Sequence, residues 1–343
     1  MVSIIILLLC QAQAFAFNDK KVMDMYEEVL QNAPSIEEVS KLSVNNLAWY
    51  ESYWLQSYIN MFLATKDYRY FILASRNVKV VMKHLEKEEF NAFQSGEFSK
   101  GKKKYVVMGG MILLPILQYL DLLRSNRILF YLNLDKFHSH ILIVKELVSA
   151  FDEYWHEDKA EGVGWYLQPS FGGNIVFNQQ NVLGSVFVLL WRLTGNNLYK
   201  KRATYLAGYF KKQMKIKQKR LDWAISTLSV FQGEDISHAA LNVQFIVLSF
   251  QNNIVFGKKY ISYLINTFNY LSNIYPLPND ISGKGKANQM MQLQYGRWGV
   301  LAPYSQGVRA VLYQQLLETY RYNAPTAALS LSYLLLPRAM PTF

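Results

Sequence analysis

Apolar side chains recur at intervals of three and four residues along most of this chain, which is the spacing of one face of an α-helix. In residues 45–65 this stripe consists of Leu47, Tyr50, Trp54, Tyr58, Met61 and Phe62. A polar break at 65–67 ends the segment, and a second helical segment follows at 68–87. The pattern therefore predicts two antiparallel helices joined by a short turn.

The same arrangement recurs further along the chain. It predicts paired helices at 182–193 with 199–215, at 239–250 with 257–274, and at 307–320 with 325–336. Further helices are predicted at 23–31, 108–123 and 135–154, which brings the total to roughly a dozen. Period-two alternation beside hairpin-turn dipeptides is nearly absent, so we expect little or no sheet.

Helical hairpins of this kind bury their apolar faces only by packing against neighbouring hairpins. An open solenoid would need a fixed repeat length and capping repeats, and the sequence has no such period. A closed ring tolerates irregular hairpins and the long loops at 92–104, 156–177 and 276–304. We therefore predict an all-α fold, an (α/α) toroid of about six helical hairpins, over residues 17–343.

The composition supports a large folded core and suggests a partner. The chain has 343 residues, of which 51% are hydrophobic and 18% charged, so disorder is excluded. Its single cysteine excludes an internal disulfide framework. The formal net charge of +11 favours electrostatic capture of a polyanion.

Residues 1–16 resemble a secretory signal peptide. An apolar run at 2–9 is followed by small residues at Ala14 and Ala16, which suit positions −3 and −1 of a cleavage site. The run is too short to span a bilayer comfortably. We therefore expect a periplasmic or secreted protein with no stable membrane insertion after cleavage.

Several kinds of chemistry lack their sequence motifs. HExxH and CxxC are absent, so no metal site is expected. A phosphate-binding GxxxxGK[ST] loop and a GxSxG elbow are also absent, and we expect no cofactor. No basic and aromatic nucleic-acid motif is visible, so nucleic acid is not an expected partner. The basic run at 211–220 is interpreted as a solvated helix face.

His238 lies in the first turn of a predicted helix, behind Glu234 and Asp235. Asp235 is a typical N-cap, and Glu234 complements the helix dipole. In this position His238 could face a central cavity, where either carboxylate would orient the ring and tune its pKa. His238 is therefore a candidate general base.

Four consecutive amide side chains open another predicted helix: Asn178, Gln179, Gln180 and Asn181. Asn178 is a good N-cap, but capping does not explain the other three. Amides hydrogen-bond sugar hydroxyls and carboxylates without adding charge, so these residues are a candidate sugar-binding wall. The alternative is ordinary capping and surface placement.

The glycines and proline of 295–304 predict a loop. Arg297 could clamp a carboxylate through two parallel hydrogen bonds, and Tyr304 could act as an acid if a nearby cation lowered its pKa. Tyr295 and Trp298 offer flat faces for sugar rings. The alternative is a packed aromatic loop with Arg297 exposed.

Two further aromatic groups are candidates for substrate binding. Asn46, Trp49 and Tyr53 share a predicted helix face and could line the mouth of a cleft. Trp165 and Tyr166 lie in a glycine-rich loop and form a similar platform candidate.

Together, these features resemble the (α/α) toroid polysaccharide lyases, especially alginate and glucuronan lyases. The resemblance rests on the hairpin series, Asn178, His238 behind its acidic pair, and Arg297 seven residues before Tyr304. It implies β-elimination on a uronate-containing anionic polysaccharide. Asn178 and Arg297 would hold the carboxylate, His238 would be the base and Tyr304 the acid, with Glu234 supporting the carboxylate or His238.

Other functions remain open on the same fold. A glycoside hydrolase would use Glu234 or Asp235 as general acid, with Asp222 or Glu51 as a distant second carboxylate. A uronate C5-epimerase would share the proton abstraction but not the elimination. A non-catalytic polysaccharide-binding protein would use the aromatic loops as platforms.

Overall fold

The computed structural model describes residues 19–88, 94–95, 103–168, 173–229 and 233–337. The predicted signal peptide at 1–16 lies outside these residues. The α-helices are α1 Asp19–Leu30, α2 Ile36–Ser40, α3 Val44–Asn46, α4 Ser52–Thr65, α5 Tyr68–Glu88, α6 Val106–Ser125, α7 Arg127–Leu132, α8 Leu134–Ser149, α9 Phe177–Thr194, α10 Asn197–Gln213, α11 Ile236–Gln251, α12 Lys258–Ser272, α13 Gln289–Gln294, α14 Gln306–Thr319 and α15 Ala324–Leu335.

Strands are a minor part of the described chain. They form antiparallel pairs of β1 Gln94–Ser95 with β2 Lys103–Lys104, β3 Trp155–Asp158 with β4 Val163–Tyr166, and β5 Lys215–Lys217 with β6 Arg220–Asp222. A π-helical turn at Leu47–Glu51 leads into α4, and a 3₁₀ segment at Tyr295–Tyr304 follows α13.

Two concentric rings make up the part of the chain that the structure describes. The inner ring runs through α4, α6, α9, α11, the 3₁₀ segment and α15, and α15 packs against α4 to close it. The matching outer elements are α5, α8, α10, α12, α14 and α1. The first described helix, α1, thus pairs with the last, α15. The predicted (α/α) toroid of six hairpins is confirmed.

The pattern of buried residues differs between the inner and the outer ring. Nearly every residue of the inner helix α6 is buried, whereas the outer helix α12 buries only a stripe at intervals of three and four. In the described chain, α6 alone is long and apolar enough to span a membrane by composition. Its burial against other helices accounts for that character.

Two glycines set the spacing of the inner helices. A Cβ atom at Gly110 of α6 would lie 2.7 Å from the Leu183 backbone nitrogen in α9. One at Gly184 of α9 would lie 2.7 Å from the Phe245 ring in α11. Since interiors are close-packed, a larger residue at either position would force the helices apart.

The 295–304 segment differs from its prediction as a loop. It forms a 3₁₀ helix that occupies one place in the inner ring. Its glycines are needed for packing, because a Cβ atom at Gly296 would collide with Ser330 and one at Gly299 with Tyr333. Glycine here reflects close contact with α15 and not an exposed turn.

The basic run at 211–220 also differs from its prediction as a helix face. Helix α10 ends at Gln213, and the rest of the run forms β5, a turn and the start of β6. Gln218 and Lys219 have φ values of 50° and 61°. Successive positive φ values are typical of the tight turns that join antiparallel strands.

Candidate functional site at the ends of the inner helices

The N-terminal ends of three inner helices meet around a cavity of about 130 Å³. Helix α9 contributes Asn178 and Gln179, and α11 contributes His238. Trp49, from the π-helical turn before α4, completes one side, and Tyr105, Val107 and Met108 at the start of α6 complete another. We call this the His238 cavity. It brings together Asn178, His238 and Trp49, which were predicted from three separate stretches of sequence.

Asp235 both caps α11 and holds the His238 ring. Its Oδ1 accepts hydrogen bonds from the backbone nitrogens of Ser237 at 3.0 Å and His238 at 3.1 Å. Its Oδ2 lies 2.5 Å from His238 Nδ1. Among the described residues, His238 Nε2 has no hydrogen-bond partner, so that nitrogen is available to a ligand. The His238 side chain is 43% exposed.

The charges around His238 favour its protonated form. Burial opposes protonation, but the hydrogen bond and charge of Asp235, with the charge of Glu234, raise the pKa of His238 above its usual value. Burial likewise works to raise the pKa of Asp235, yet His238 and two backbone amides lower it. The two side chains therefore form a charge-assisted pair, with a basic imidazole facing the cavity.

Trp49 packs edge-on against the catalytic candidate. Its ring centroid lies 6.5 Å from that of His238, and the ring planes are nearly perpendicular. This arrangement gives the cavity an aromatic wall beside the imidazole. Aromatic walls suit the apolar faces of sugar rings.

Glu234 lies behind the cavity and not in it. The side chain is fully buried, and its Oε1 accepts a hydrogen bond from Asn178 Nδ2 at 2.7 Å. Its Oε2 accepts from Trp223 Nε1 and Asn242 Nδ2. Burial raises the pKa of Glu234 to about 7, against the lowering effect of the bonds from Trp223 and Asn178. Because it is fully buried in this conformation, Glu234 does not face a substrate, and its hydrogen bond positions Asn178.

The predicted amide wall is reduced to two members. Asn178, although only 1% exposed, lines the cavity with Gln179, whereas the buried Gln180 and Asn181 do not line it. Gln180 Oε1 accepts from the backbone nitrogen of Tyr166 at 3.1 Å, and Asn181 Nδ2 donates to Asn242 Oδ1 at 2.6 Å. The prediction that Gln180 and Asn181 contact substrate is wrong because both amides join buried elements.

Arg297 lies at the centre of the ring and is only 5% exposed. Its Nη1 donates to the backbone oxygen of Ser237 at 3.0 Å, and its guanidinium stacks 4.8 Å from the centroid of Tyr53. Arg297 and Tyr53 line a separate small cavity of about 10 Å³. Neither reaches the His238 cavity as predicted, although Arg297 supports the turn that carries His238.

Tyr304 lies at the opposite end of α11. Its hydroxyl accepts a hydrogen bond from Gln251 Nε2 at 2.8 Å, and Gln251 is the last residue of that helix. Since a helix rises about 1.5 Å per residue, Tyr304 and His238 are about 20 Å apart. Burial also raises the pKa of Tyr304. Its predicted action as an acid beside His238 is therefore wrong.

Tyr295 and Trp298 are core residues. Both are fully buried, and their polar atoms donate to the backbone oxygens of Pro278 at 2.8 Å and Ile236 at 3.2 Å. Buried rings present no face to a sugar, so the prediction that they bind substrate is wrong.

Trp165 and Tyr166 belong to β4 and not to a loop. Tyr166 is buried, and the half-buried Trp165 packs between His156 at 6.3 Å and Tyr209 at 5.2 Å. Neither lines the His238 cavity. Their predicted role as a platform there is wrong because both rings pack against neighbouring aromatic side chains.

Asn46 and Trp49 do not share a cleft. Asn46 lines a different surface depression of about 790 Å³, together with Tyr50 and residues from 31–42. Trp49 belongs to the π-helical turn at Leu47–Glu51, which directly follows Asn46. The wider π-helical turn breaks the 3.6-residue spacing on which the prediction of a shared face rested.

The carboxylates named for a hydrolase are not assembled at this cavity. Glu51 is 1% exposed, and its Oε1 accepts from Asn77 Nδ2 at 2.8 Å. Asp222 lies 2.6 Å from Lys217 Nζ in another cavity. With Glu234 buried, the described residues supply no pair of accessible carboxylates around His238. They also contain no cluster of three metal-ligating side chains.

Glu51 should instead contribute to the pH dependence of stability, in the same direction as the buried Glu234. Burial raises its pKa from 4.5 to about 8, so the folded protein keeps a proton that the unfolded chain releases between these values. Stability should fall by about 3 kcal/mol as the pH rises from 5 to 8. Glu51→Gln, which keeps the acceptor for Asn77, should remove this component. Thermal unfolding at both pH values checks it, and an unchanged pH dependence in the variant would contradict it.

Sequence reasoning missed part of the site. Tyr105, Val107 and Met108 begin an apolar helix whose first turn has no polar signal. Trp223 and Asn242 bind Glu234 from positions that are distant in sequence or inside a helix. Only the preference of a buried carboxylate for several donors could have suggested such partners.

Comparisons with known proteins establish the fold class. No protein-family model matches this chain, and no curated protein matches it. The GH76A α-1,6-mannanase from Salegentibacter sp. superposes with a TM-score of 0.56 at 8% identity, covering 93% of this chain and 98% of that one. A family 88 glycosyl hydrolase from Bacteroides vulgatus gives 0.57 at 10% identity with the same coverage. A D-mannose isomerase gives 0.51 at 10% identity, covering 84% and 86%. The protein therefore has the (α/α) toroid fold found in glycoside hydrolases.

Proposed function

We propose that this protein is a carbohydrate-active enzyme that binds a polysaccharide or oligosaccharide at the His238 cavity and acts on it through His238. The observation that carries this proposal is the imidazole held by Asp235 beside Trp49 and the amides of α9. An aromatic wall and amides suit the apolar faces and hydroxyls of sugars. The mannanase of the same fold binds α-1,6-mannotetrose, which supports a glycan as ligand.

Hydrolysis of a glycosidic bond is the first candidate reaction, because glycoside hydrolases share this fold. The raised pKa of His238 favours an imidazolium, which can donate its Nε2 proton to the departing glycosidic oxygen. Water then adds to the anomeric carbon as the carbon–oxygen bond breaks, the proton lost by water passes to solvent, and solvent reprotonates His238 Nε2.

β-Elimination on a uronate is the second candidate. It is favoured because the described residues around His238 include a paired imidazole but no pair of accessible carboxylates. In its neutral form, His238 Nε2 would accept the C5 proton as the C4–C5 double bond forms and the C4–oxygen bond breaks, and it would then return that proton to the departing glycosidic oxygen. Gln179 Nε2 would donate to the substrate carboxylate, since Gln179 Oε1 already accepts from Gln168 at 3.0 Å. Epimerisation would share only the first step.

A panel of glycans separates these reactions. The protein is incubated with α-1,6-mannan, alginate, glucuronan and glycosaminoglycans while reducing ends and absorbance of the C4–C5 double bond are followed. Reducing ends without absorbance support hydrolysis, and a rise of both supports elimination. Binding without turnover by any readout, including loss of the C5 proton in deuterated water, would reject an enzyme and support a binding protein.

Export forms part of this proposal. The first 16 residues have the pattern of a signal peptide, which supports action in the periplasm or outside the cell. Fractionation of expressing cells tests the location.

Asp235→Asn should move the pH profile of turnover. Asparagine caps a helix as well as aspartate, but it removes the charge that raises the pKa of His238. The limb of the profile that reports His238 should shift to lower pH. That limb rises with pH if His238 is a base and falls if it is an acid. Asp135→Asn, in the first turn of the outer helix α8, is the matched control. An unmoved limb would mean that Asp235 does not tune His238.

A further inference from the structure

A second cavity, of about 400 Å³, opens at the same end of the toroid as the His238 cavity. It lies between the β5–β6 hairpin and the segment at 281–284. Phe177 lines it, and Asn178, the next residue of α9, lines the His238 cavity. The two cavities therefore lie on either side of the first turn of α9.

Basic side chains outnumber acidic ones in the lining of this second cavity. Lys215, Lys217, Arg220 and Lys284 line it together with a single described carboxylate, Asp222. The strand register places Lys215 opposite Asp222 and Lys217 opposite Arg220, so alternation puts these four side chains on one face. Ile216, on the other face, is exposed. We call this set the basic cavity.

Most of this positive charge is not neutralised by the protein. Lys217 pairs with Asp222 at 2.6 Å, but Lys215 and Lys284 have no ion-pair partner among the described residues. The nearby Asp280 is engaged locally, since its Oδ1 accepts from Ser282 Oγ at 2.6 Å and from the Lys284 backbone at 3.1 Å. An anion entering the cavity would therefore meet unpaired cations.

Arg220 is held in position for such an anion. Its guanidinium lies 3.5 Å from the centroid of the Tyr270 ring, and Nη2 donates to Gln218 Oε1 at 3.2 Å. A stacked guanidinium loses less conformational entropy on binding and keeps its remaining donors for a carboxylate or sulfate. Thr227 and Ser282 also line the cavity, although their hydroxyl groups already donate to neighbouring side chains.

One hydrogen-bonded wall connects the two cavities. Trp223 lines the basic cavity, and its indole nitrogen donates to Glu234. Glu234 in turn accepts from Asn178, which lines the His238 cavity. Because only this wall separates the two cavities, a glycan with one unit at His238 can extend a neighbouring unit towards the basic cavity.

We propose that the basic cavity binds a carboxylate or sulfate substituent of the glycan whose reacting unit occupies the His238 cavity. The substrate is then an anionic polysaccharide, and the basic cavity selects it over neutral chains. This inference rests on the proposed function, since it assigns the substrate class of the same site. Lys215, Lys217 and Lys284 are exposed, and several cations gathered around one cavity attract an oxyanion more strongly than isolated cations do.

Binding measurements test the basic cavity apart from turnover. The His238→Ala protein is titrated calorimetrically with oligouronates, a sulfated oligosaccharide and neutral α-1,6-mannotetraose. The double variant Lys215→Gln with Lys284→Gln is compared with the control Lys79→Gln with Lys83→Gln, which removes the same charge from exposed positions on α5. We expect the cavity variant to lose roughly tenfold or more in affinity for the anionic ligand, as for lost charged hydrogen bonds. The control should lose less than about twofold.

Each outcome decides the proposal. Selective loss in the cavity variant supports it, and the ligand that loses affinity identifies carboxylate or sulfate. Equal losses of affinity in both double variants would show that the lysines act only through general electrostatic attraction, and this would overturn the proposed site. Absence of binding to both anionic ligands, or tighter binding of the neutral one, also overturns it. Failure of the proposed function would appear separately, as wild-type protein that turns over no glycan.

Discussion

Replacing His238 by alanine is expected to lower turnover of the glycan by a factor of about 10²–10⁴, the usual contribution of a positioned general acid or base. The imidazole is the side chain at the cavity whose pKa is tuned by a dedicated carboxylate. Its removal leaves Asp235 to cap α11 through the backbone nitrogens, so the fold should persist. Initial rates from reducing ends or double-bond absorbance measure the loss.

A matched histidine makes this result specific. His138 is exposed on the outer helix α8, so His138→Ala should keep the wild-type rate. Thermal unfolding of both variants should match that of the wild type within a few degrees. If His238→Ala retains most of the wild-type rate on every glycan that is turned over, proton transfer occurs elsewhere and the assignment of His238 fails.

The toroid was predictable because its signals are local. Gly195, with a φ of 70°, ends α9, and the Asn196 side chain caps α10 at the turn marked by polar residues in the sequence. The apolar stripes define which helices need partners. Pairing of α1 with α15 was not predictable from such signals, because it joins opposite ends of the chain.

Glycines mislead the sequence prediction where packing is close. In 295–304 the same residues that favour a loop allow an inner-ring segment to touch α15. The sequence alone does not separate a glycine needed for a turn from one needed for contact, since the contacting residues lie thirty or more positions away. Because this segment packs in the inner ring, Tyr295, Trp298 and Arg297 are buried and do not line the His238 cavity.

The site was predictable only where its residues are neighbours in the chain. Asp235 and His238 lie three apart at a helix start, so their pairing follows from capping geometry. Glu234 was predicted to support the reaction directly, but it is structural because Asn178, Trp223 and Asn242 bind its carboxylate. Those contacts exist only once α9 and α11 are packed together.

Replacing Glu234 by alanine is expected to destabilise the protein by about 4–5 kcal/mol, because three buried donors lose their acceptor at about 1–3 kcal/mol each. Asn178, Trp223 and Asn242 all donate to this carboxylate. Urea unfolding measures the free energy. Glu146→Ala, at an exposed position of α8, is the control and should change stability by less than about 0.5 kcal/mol.

Glu234→Gln distinguishes a structural carboxylate from a catalytic one. The variant keeps one acceptor oxygen but turns an NH₂ group towards buried donors, so it should be destabilised by about 2–3 kcal/mol. Because the side chain lies behind Asn178, the variant's activity per folded molecule should fall far less than that of His238→Ala. A fully stable Glu234→Gln protein without turnover would show the reverse, and Glu234 would then have to reach the substrate through an opening of the wall that now buries it.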